Sequence, residues 1–439
     1  MNPLFIVLAV ALVVAQFGLP RRLAFAPLLV AVCHFQSVPV VQIGAAFTVC
    51  KLVIIAGLLR AAREQTLEWS GRQPLDLLLT LWAAWMILTG FAHHPKDHNP
   101  ITIRVSVIFD FFGAYLYARS FLRDRNDYLR CVKCLALVMI PLALECLLEK
   151  TVHRNFYGLI SGDEQGVGVR EGHIRAFGPF AHAILLGTFG ATSMILVIAL
   201  WHRYRCWMVL GSVACAATVF CSASSGPIMT LLSGLLAVGL WPWRASVGTI
   251  RKLVVAGFIC LQLLMQAPVW YLMARIDLAG GSTGWHRAEL ISAALNHIGE
   301  WWLVGTDYTR HWMPYGVAWS QYQIDITNHY LSMGVNGGLL LMFLFIAILL
   351  KAFQLLGHAM RSLRESGDPD EFILWCVGAT LFADCFAFIS VSYFDQTNVG
   401  LGFLLGAVPG VCAAAVGSES EETQQQWQQD GQSGTILVK

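Results

Sequence analysis

Apolar runs close to the length a helix needs to cross a hydrocarbon core, roughly 20 residues, recur along almost the whole chain, and they restrict the folds open to it. About thirteen can be segmented, near 3–20, 23–38, 40–60, 75–91, 101–121, 129–148, 176–201, 206–223, 226–241, 251–273, 330–356, 372–394 and 397–416. The first three are short or closely spaced, so one re-entrant segment would bring the count to about twelve. In lipid every backbone amide has to be satisfied within its own segment, which makes these runs helices. The expected fold class is therefore all-α, a polytopic membrane protein with about 12–13 transmembrane helices. Composition agrees: the 439 residues are 56% hydrophobic and only 13% charged, against about 25% charged in soluble domains. A net charge of +2 gives no argument for nucleic acid.

Basic residues set orientation in such a chain. They fall in alternate loops: Arg21 and Arg22; Arg60, Arg63 and Arg72; Arg119, Arg123, Arg125 and Arg130; Arg203 and Arg205; Arg244, Arg251 and Lys252; Lys351, Arg361 and Arg364. By the positive-inside rule these loops are cytoplasmic. Residues 1–416 read as a single transmembrane domain, and the Gln/Ser-rich stretch 417–439 as a disordered cytoplasmic tail. The N-terminal run carries Arg21 and Arg22 after its apolar stretch, the reverse of a signal peptide, and reads as an uncleaved first span.

The loops left facing outward are 93–100, 149–175 and 274–329. The last is long, and long loops in compact folds are usually functional. Within it, Leu290, Ile291, Ala294, Leu295, Ile298 and Trp302 recur near helical spacing and predict an amphipathic helix lying on the outer surface, with Ser282 or Thr283 capping its start.

Chemistry-bearing residues gather in these outward segments. Arg154, Arg170, His173, Arg175 and His182 lie along 149–182, His286 and Arg287 open the amphipathic piece, and Asn328, His329 and Tyr330 stand at the next membrane entry. Outward arginines run against the charge rule. A guanidinium at the membrane threshold suits a phosphate, which it binds bidentately. A pyrophosphate lipid would put its anion at that depth, and a histidine beside it would take a proton from an attacking hydroxyl. Each residue also has a plain structural reading: Arg175 or Arg287 as a lipid-headgroup contact or helix cap, His329 as a hydrogen bonder at a helix start, and Asn328 as an N-cap.

Lys51, Arg104, Asp110, Glu145 and Asp384 lie within or near apolar runs, with Asp110 placed to pair with Lys51 or Arg104. Intramembrane charges point to function by default and keep a multi-spanning transporter open as the second class. The segment "CSASSGPIMT" (221–230) divides one apolar run by a turn at Gly226–Pro227. The twelve cysteines sit mostly in apolar runs as small hydrophobes. Cys131 and Cys134 form a lone CxxC without a second pair, so no metal site and no disulfide framework is expected. There is no Walker loop, HExxH or G-x-S-x-G motif, and no cytoplasmic nucleotide-sugar domain.

Three segments, taken in order, are similar to the bacterial O-antigen ligase/polymerase family. "RAFGPFAHAILLG" resembles its outward Arg-to-His segment, "STGWHRAELISAALNHIGEWWLVGTDY" its long periplasmic loop, and "TNHYLSMGVNGGLLLMFLFI" its entry to the following span. The resemblance covers roughly 170–350; the N-terminal part matches only as generic membrane helices. It implies a metal-independent glycosyltransferase of the bacterial inner membrane, without cofactor, acting in exopolysaccharide or O-antigen synthesis. The donor would be an undecaprenyl-pyrophosphate-linked glycan and the acceptor a glycan or lipid-core hydroxyl in the periplasm, with other polysaccharide assembly proteins as further partners. Polymerase is preferred over ligase; a flippase of lipid-linked glycans is the alternative. Carried over by position, Arg175 and Arg287 would hold the pyrophosphate and His329 would activate the acceptor. His286, Asn328, Tyr330, His182, Arg170 and Asp307 are secondary substrate-binding candidates. The chain departs from the family pattern at Ala183, where members often show Asn, at Ser224-Ser225-Gly226 for Ser-Arg-Gly, and at Asn328-His329 for His-Asn. The last departure leaves His286 as a second candidate base.

Overall fold

The computed structural model describes residues 2–43, 45–67, 73–94, 99–162, 166–170, 172–275 and 284–413. The caps expected at Ser282 and Thr283, Arg72, much of 93–100 and the tail 417–439 lie outside the described residues. The fold is mostly helical: α1 (Pro3–Gly18), α2 (Ala26–His34), α3 (Val49–Arg63), α4 (Pro74–Gly90), α5 (Pro100–Ile108) running through a π turn into α6 (Ala114–Phe121), and α7 (Arg125–Val152). There follow α8 (Phe156–Ser161), α9 (Ala183–Ile198), α10 (Arg205–Cys221), α11 (Ser225–Gly239), α12 (Val247–Leu264), α13 (Gly284–Asn296), α14 (Ile298–Trp301), α15 (His329–Glu365), α16 (Glu371–Ala387) and α17 (Gln396–Ala413).

Local chemistry starts these helices. The side chains of Asn2, Thr48, Asn99, Asp124, Asn155 and Asn328 each accept a first-turn amide, and Pro3, Pro74 and Pro100 occupy first positions, where no amide is missed. Among the described residues, five helices are long and apolar enough to cross a membrane: Pro100–Phe121, Arg125–Val152, Trp241–Leu264, His329–Glu365 and Gln396–Ala413. Five shorter apolar helices accompany them. The 17 residues of α10 rise about 25 Å, just short of a hydrocarbon core. These helices are compatible with a multi-pass membrane protein. Trp241–Leu264 buries none of its apolar window against the rest of the described chain.

Two hairpins depart from the all-helical expectation. The run 40–60 is helical only from Val49; β1 (Val41–Ile43) and β2 (Ala45–Phe47) pair antiparallel before it. Val40, Val41 and Phe47 are β-formers, and the apolar run hides the change of period. A second hairpin pairs β3 (Gly168–Arg170) with β4 (His173–Arg175).

Loops predicted to share a side are bonded to one another. Arg125 meets Asp368 (2.8 Å), Arg203 meets Asp370 (3.0 Å), and Arg244 and Arg364 both hold Glu371 (3.0 and 2.5 Å). These residues come from alternate loops, as the charge pattern requires. Within the bundle, Lys51 pairs with Asp110 (3.4 Å) and donates to Ser106 Oγ (2.6 Å). Arg104 bonds instead to the Met86 carbonyl and Thr89. The 221–230 break falls between α10 and α11. The cysteines are all free thiols, mostly buried.

Close backbone approach needs glycine at two places. On α17, Gly402, Gly406 and Gly410 repeat every fourth residue, and a Cβ at each would lie 2.0–2.2 Å from the carbonyls of Phe111, Tyr115 and Leu122. This is small-residue packing of the kind membrane helices use. α15 is interrupted at Gly337 and Gly338, the latter at φ 73°. The 302–306 segment fills the break: Leu339 N donates to Trp302 O (2.8 Å), Thr306 N to Val335 O (2.9 Å), and Trp85 Nε1 caps Gly337 O (2.8 Å).

Candidate functional site

The β3–β4 hairpin supplies two arginines. Arg170 pairs with His173 and Gly168 with Arg175; because side chains alternate along a strand, Arg170, His173 and Arg175 share one face. Behind the hairpin, Lys150 Nζ donates to Ile174 O (3.1 Å). Buried Glu149 accepts from the amides of Phe177 (3.1 Å) and Gly178 (2.9 Å), and Asn155 donates to Gly178 O (2.7 Å). This clamps the turn after Arg175. Ala176 N then bonds Cys221 O (3.0 Å), tying the turn to the end of α10. Arg175 itself donates to Ser224 Oγ (2.6 Å) and Ser222 O (3.3 Å), so the 221–230 break holds its guanidinium.

Arg287 comes from the first turn of α13, the expected amphipathic helix, whose start is pressed on the 269–275 turn; a Cβ at Gly284 would sit 2.2 Å from Met273 O. Its partly buried guanidinium has an Nε without a hydrogen-bond partner. Burial first, then the Arg170 charge, pulls its proton affinity down; Arg175 adds to this and Asp325 opposes it. Arg175 is lowered in the same way, by burial and by Arg170. The three guanidiniums are thus within electrostatic reach of one another, and such a cluster of like charges is suited to an anionic group.

Asp325 is the acid of this group. Its backbone is fixed by Asp325 N donating to Val317 O (2.9 Å). Burial raises its carboxyl, with His286, His182 and Arg287 pulling the other way. His286 is buried and its Nε2 donates to the Asp325 carbonyl (3.2 Å), leaving Nδ1 a buried acceptor without a partner. His182 is exposed at the start of α9, its ring edge-on to Trp319 and Phe394.

The structure therefore brings together Arg170, Arg175, Arg287, His182, His286 and Asp325. Asp325 had no place among the site residues read from sequence; nothing in its spacing links it to Arg287. The other candidates go elsewhere. His329 is 2% exposed. Its Nδ1 accepts from Tyr393 N (3.1 Å), and its ring lies among Phe345, Phe388 and Tyr393 at centroid distances of 5.0–5.8 Å. That position is inside the helix packing, shut off from a sugar hydroxyl. Asn328 is the N-cap of α15, accepting from Leu331 N (3.0 Å), and Tyr330 donates to Cys385 O (3.1 Å). Asp307 holds His93 Nδ1 (2.5 Å) and His94 N (2.7 Å), tying the loop after α4 to the 302–306 segment.

A metal ion has one set of donors among the described residues, His297, Glu300 and His311, separate from the arginines. No protein-family model matches the chain, and no curated protein matches it.

Proposed function

We propose that this chain is a membrane glycosyltransferase that moves a glycan from a polyprenyl-pyrophosphate carrier, undecaprenyl pyrophosphate in a bacterial inner membrane, to a sugar hydroxyl. The positive-inside pattern of the basic loops supports a cytoplasmic side for them and a periplasmic side for the arginine cluster. The observation that carries the proposal is that Arg170, Arg175 and Arg287 lie within electrostatic reach of one another, with Asp325 beside Arg287, whose buried Nε has no hydrogen-bond partner.

In the reaction the acceptor oxygen bonds to the anomeric carbon as that carbon's bond to the pyrophosphate oxygen breaks. The leaving oxygen takes the electron pair, and the arginines stabilise its charge. The acceptor proton goes to a base, and Asp325 replaces His329 in that role, being close to Arg287 and fixed by its backbone. A polymer-forming acceptor is preferred. Flipping of the lipid-linked glycan is the second reading, favoured by the Lys51–Asp110 pair and the interrupted α15.

The test is Arg287→Ala in the native host, with surface polysaccharide profiled on gels and lipid-linked repeats extracted from spheroplasts. Loss of polymer with repeats accumulating on the outward leaflet is the expected result. Repeats held on the inner leaflet would instead assign transport, and an unchanged profile would remove Arg287 from any site.

A further inference from the structure

We propose that His297, Glu300 and His311 form a binding site for a divalent transition ion, zinc by donor type, distinct from the arginine cluster. The three side chains offer donor atoms that all lie within 4.8 Å of one another. Two imidazoles and one carboxylate are a recurrent zinc set, completed by water. Carboxylates alone would suit calcium or magnesium, and thiolates copper(I).

The surroundings are those of a built site. His297 Nδ1 donates to Ala293 O (2.8 Å). That bond fixes the tautomer and leaves the lone pair on Nε2 for a metal, the usual arrangement of a ligating histidine. Trp312 Nε1 donates to Glu300 Oε2 (2.9 Å), orienting the carboxylate from behind. His311 already lies 3.0 Å from Glu300 through Nε2, the nitrogen that would ligate. Its ring stacks on Tyr308 at 4.7 Å, and His297 stacks on Trp312 at 5.7 Å, so both imidazoles are held in orientation. The His311 and Glu300 side chains are 35% and 41% exposed, which leaves an entry path and room for water.

The donors come from two pieces of chain. His297 and Glu300 stand at the junction of α13 and α14, and His311 lies in the turn Arg310–Trp312. A bound ion would pin this turn to the end of the helix that carries His286 and Arg287. The ligands are two histidines and a glutamate that no short motif joins.

The experiment uses the full, tag-free chain in detergent, stripped with chelator and dialysed against Zn2+, with bound metal measured by mass spectrometry. Wild type is expected to retain one equivalent, His311→Ala and Glu300→Gln to lose it, and His358→Ala on α15 to keep it. Co2+ in place of zinc should give the visible absorption of a nitrogen- and oxygen-liganded tetrahedral ion in wild type, which reads the site without any substitution. If wild type retains no zinc and shows no such cobalt band, the cluster is a His311–Glu300 ion pair beside stacked rings and the proposal fails. Equal retention by wild type, His311→Ala and Glu300→Gln would place the metal elsewhere and overturn it as well.

Discussion

His329 and Asp325 lie four positions apart and differ in what surrounds them: His329 sits in an aromatic cage, Asp325 beside Arg287. A histidine at a helix entry has the chemistry of a base, but a base needs access to its substrate, and His329 spends Nδ1 on a backbone amide inside an aromatic cage. Replacing it removes the partner of Tyr393 N. His329→Ala should therefore lower stability by about 1–3 kcal/mol, the cost of a buried unsatisfied amide, read as an earlier thermal transition in detergent. A variant that unfolds like wild type yet transfers no glycan would return His329 to the chemistry. For Asp325 the expected effect of Asn is a loss of transfer rate of about 10²–10⁴-fold with folding intact. Burial raises the Asp325 carboxyl, and a base works only when deprotonated. Activity should thus climb with pH along an acid limb lying above the ordinary carboxylate range, and that limb should vanish in Asp325→Asn. A limb within the ordinary range would argue against a buried base.

Helices were readable from sequence because the lipid requirement writes them as long apolar runs; their interruptions were not. The β1–β2 hairpin, the π turn through Phe109–Gly113 and the break at Gly337–Gly338 all lie inside segments that read as continuous apolar runs. What distinguishes them is the partner that meets the backbone there. Gly338 combines φ 73° with a Cβ position 2.2 Å from Leu303 O. Gly338→Ala should destabilise the protein by about 1–3 kcal/mol, as strained left-handed positions do, and expel the 302–306 segment, which protease sensitivity in that segment would report. Gly406 tests the α17 contact. Gly406→Val adds bulk against Tyr115 O, where a Cβ alone would come within 2.2 Å, and should cost about 1–3 kcal/mol by overpacking. A neutral result would mean that α17 moves away from 109–122 without penalty.

Taken whole, the molecule keeps these ionised groups in three kinds of place. At one end of the bundle Arg125, Arg203, Arg244 and Arg364 are matched by Asp368, Asp370 and Glu371, whereas Arg170, Arg175 and Arg287 lie within electrostatic reach of one another, with Asp325 beside Arg287. Inside the bundle Lys51 and Asp110, with side chains 9% and 11% exposed, satisfy each other. Asp110→Asn alone should cost about 3–5 kcal/mol by stranding Lys51, while the double replacement Lys51→Met, Asp110→Leu should be close to neutral in stability and keep glycan transfer. Loss of glycan movement across the membrane in a stable double variant would favour the transporter reading. The sequence by itself determined the helical class, the alternation of basic loops, the Asn328 cap and the α13 helix, and it left Asp110 to pair with Lys51 or Arg104. These follow from lipid excluding unpaired amides, from charge asymmetry and from apolar spacing along a helix. Only the tertiary structure decided that Arg170 and Arg175 come within electrostatic reach of Arg287 and that Asp325 lies beside Arg287, that His329 is walled in and that His297, Glu300 and His311 share a corner. Each depends on how separate loops fold back over the helix ends, and no periodicity within one segment records which distant segment it will touch.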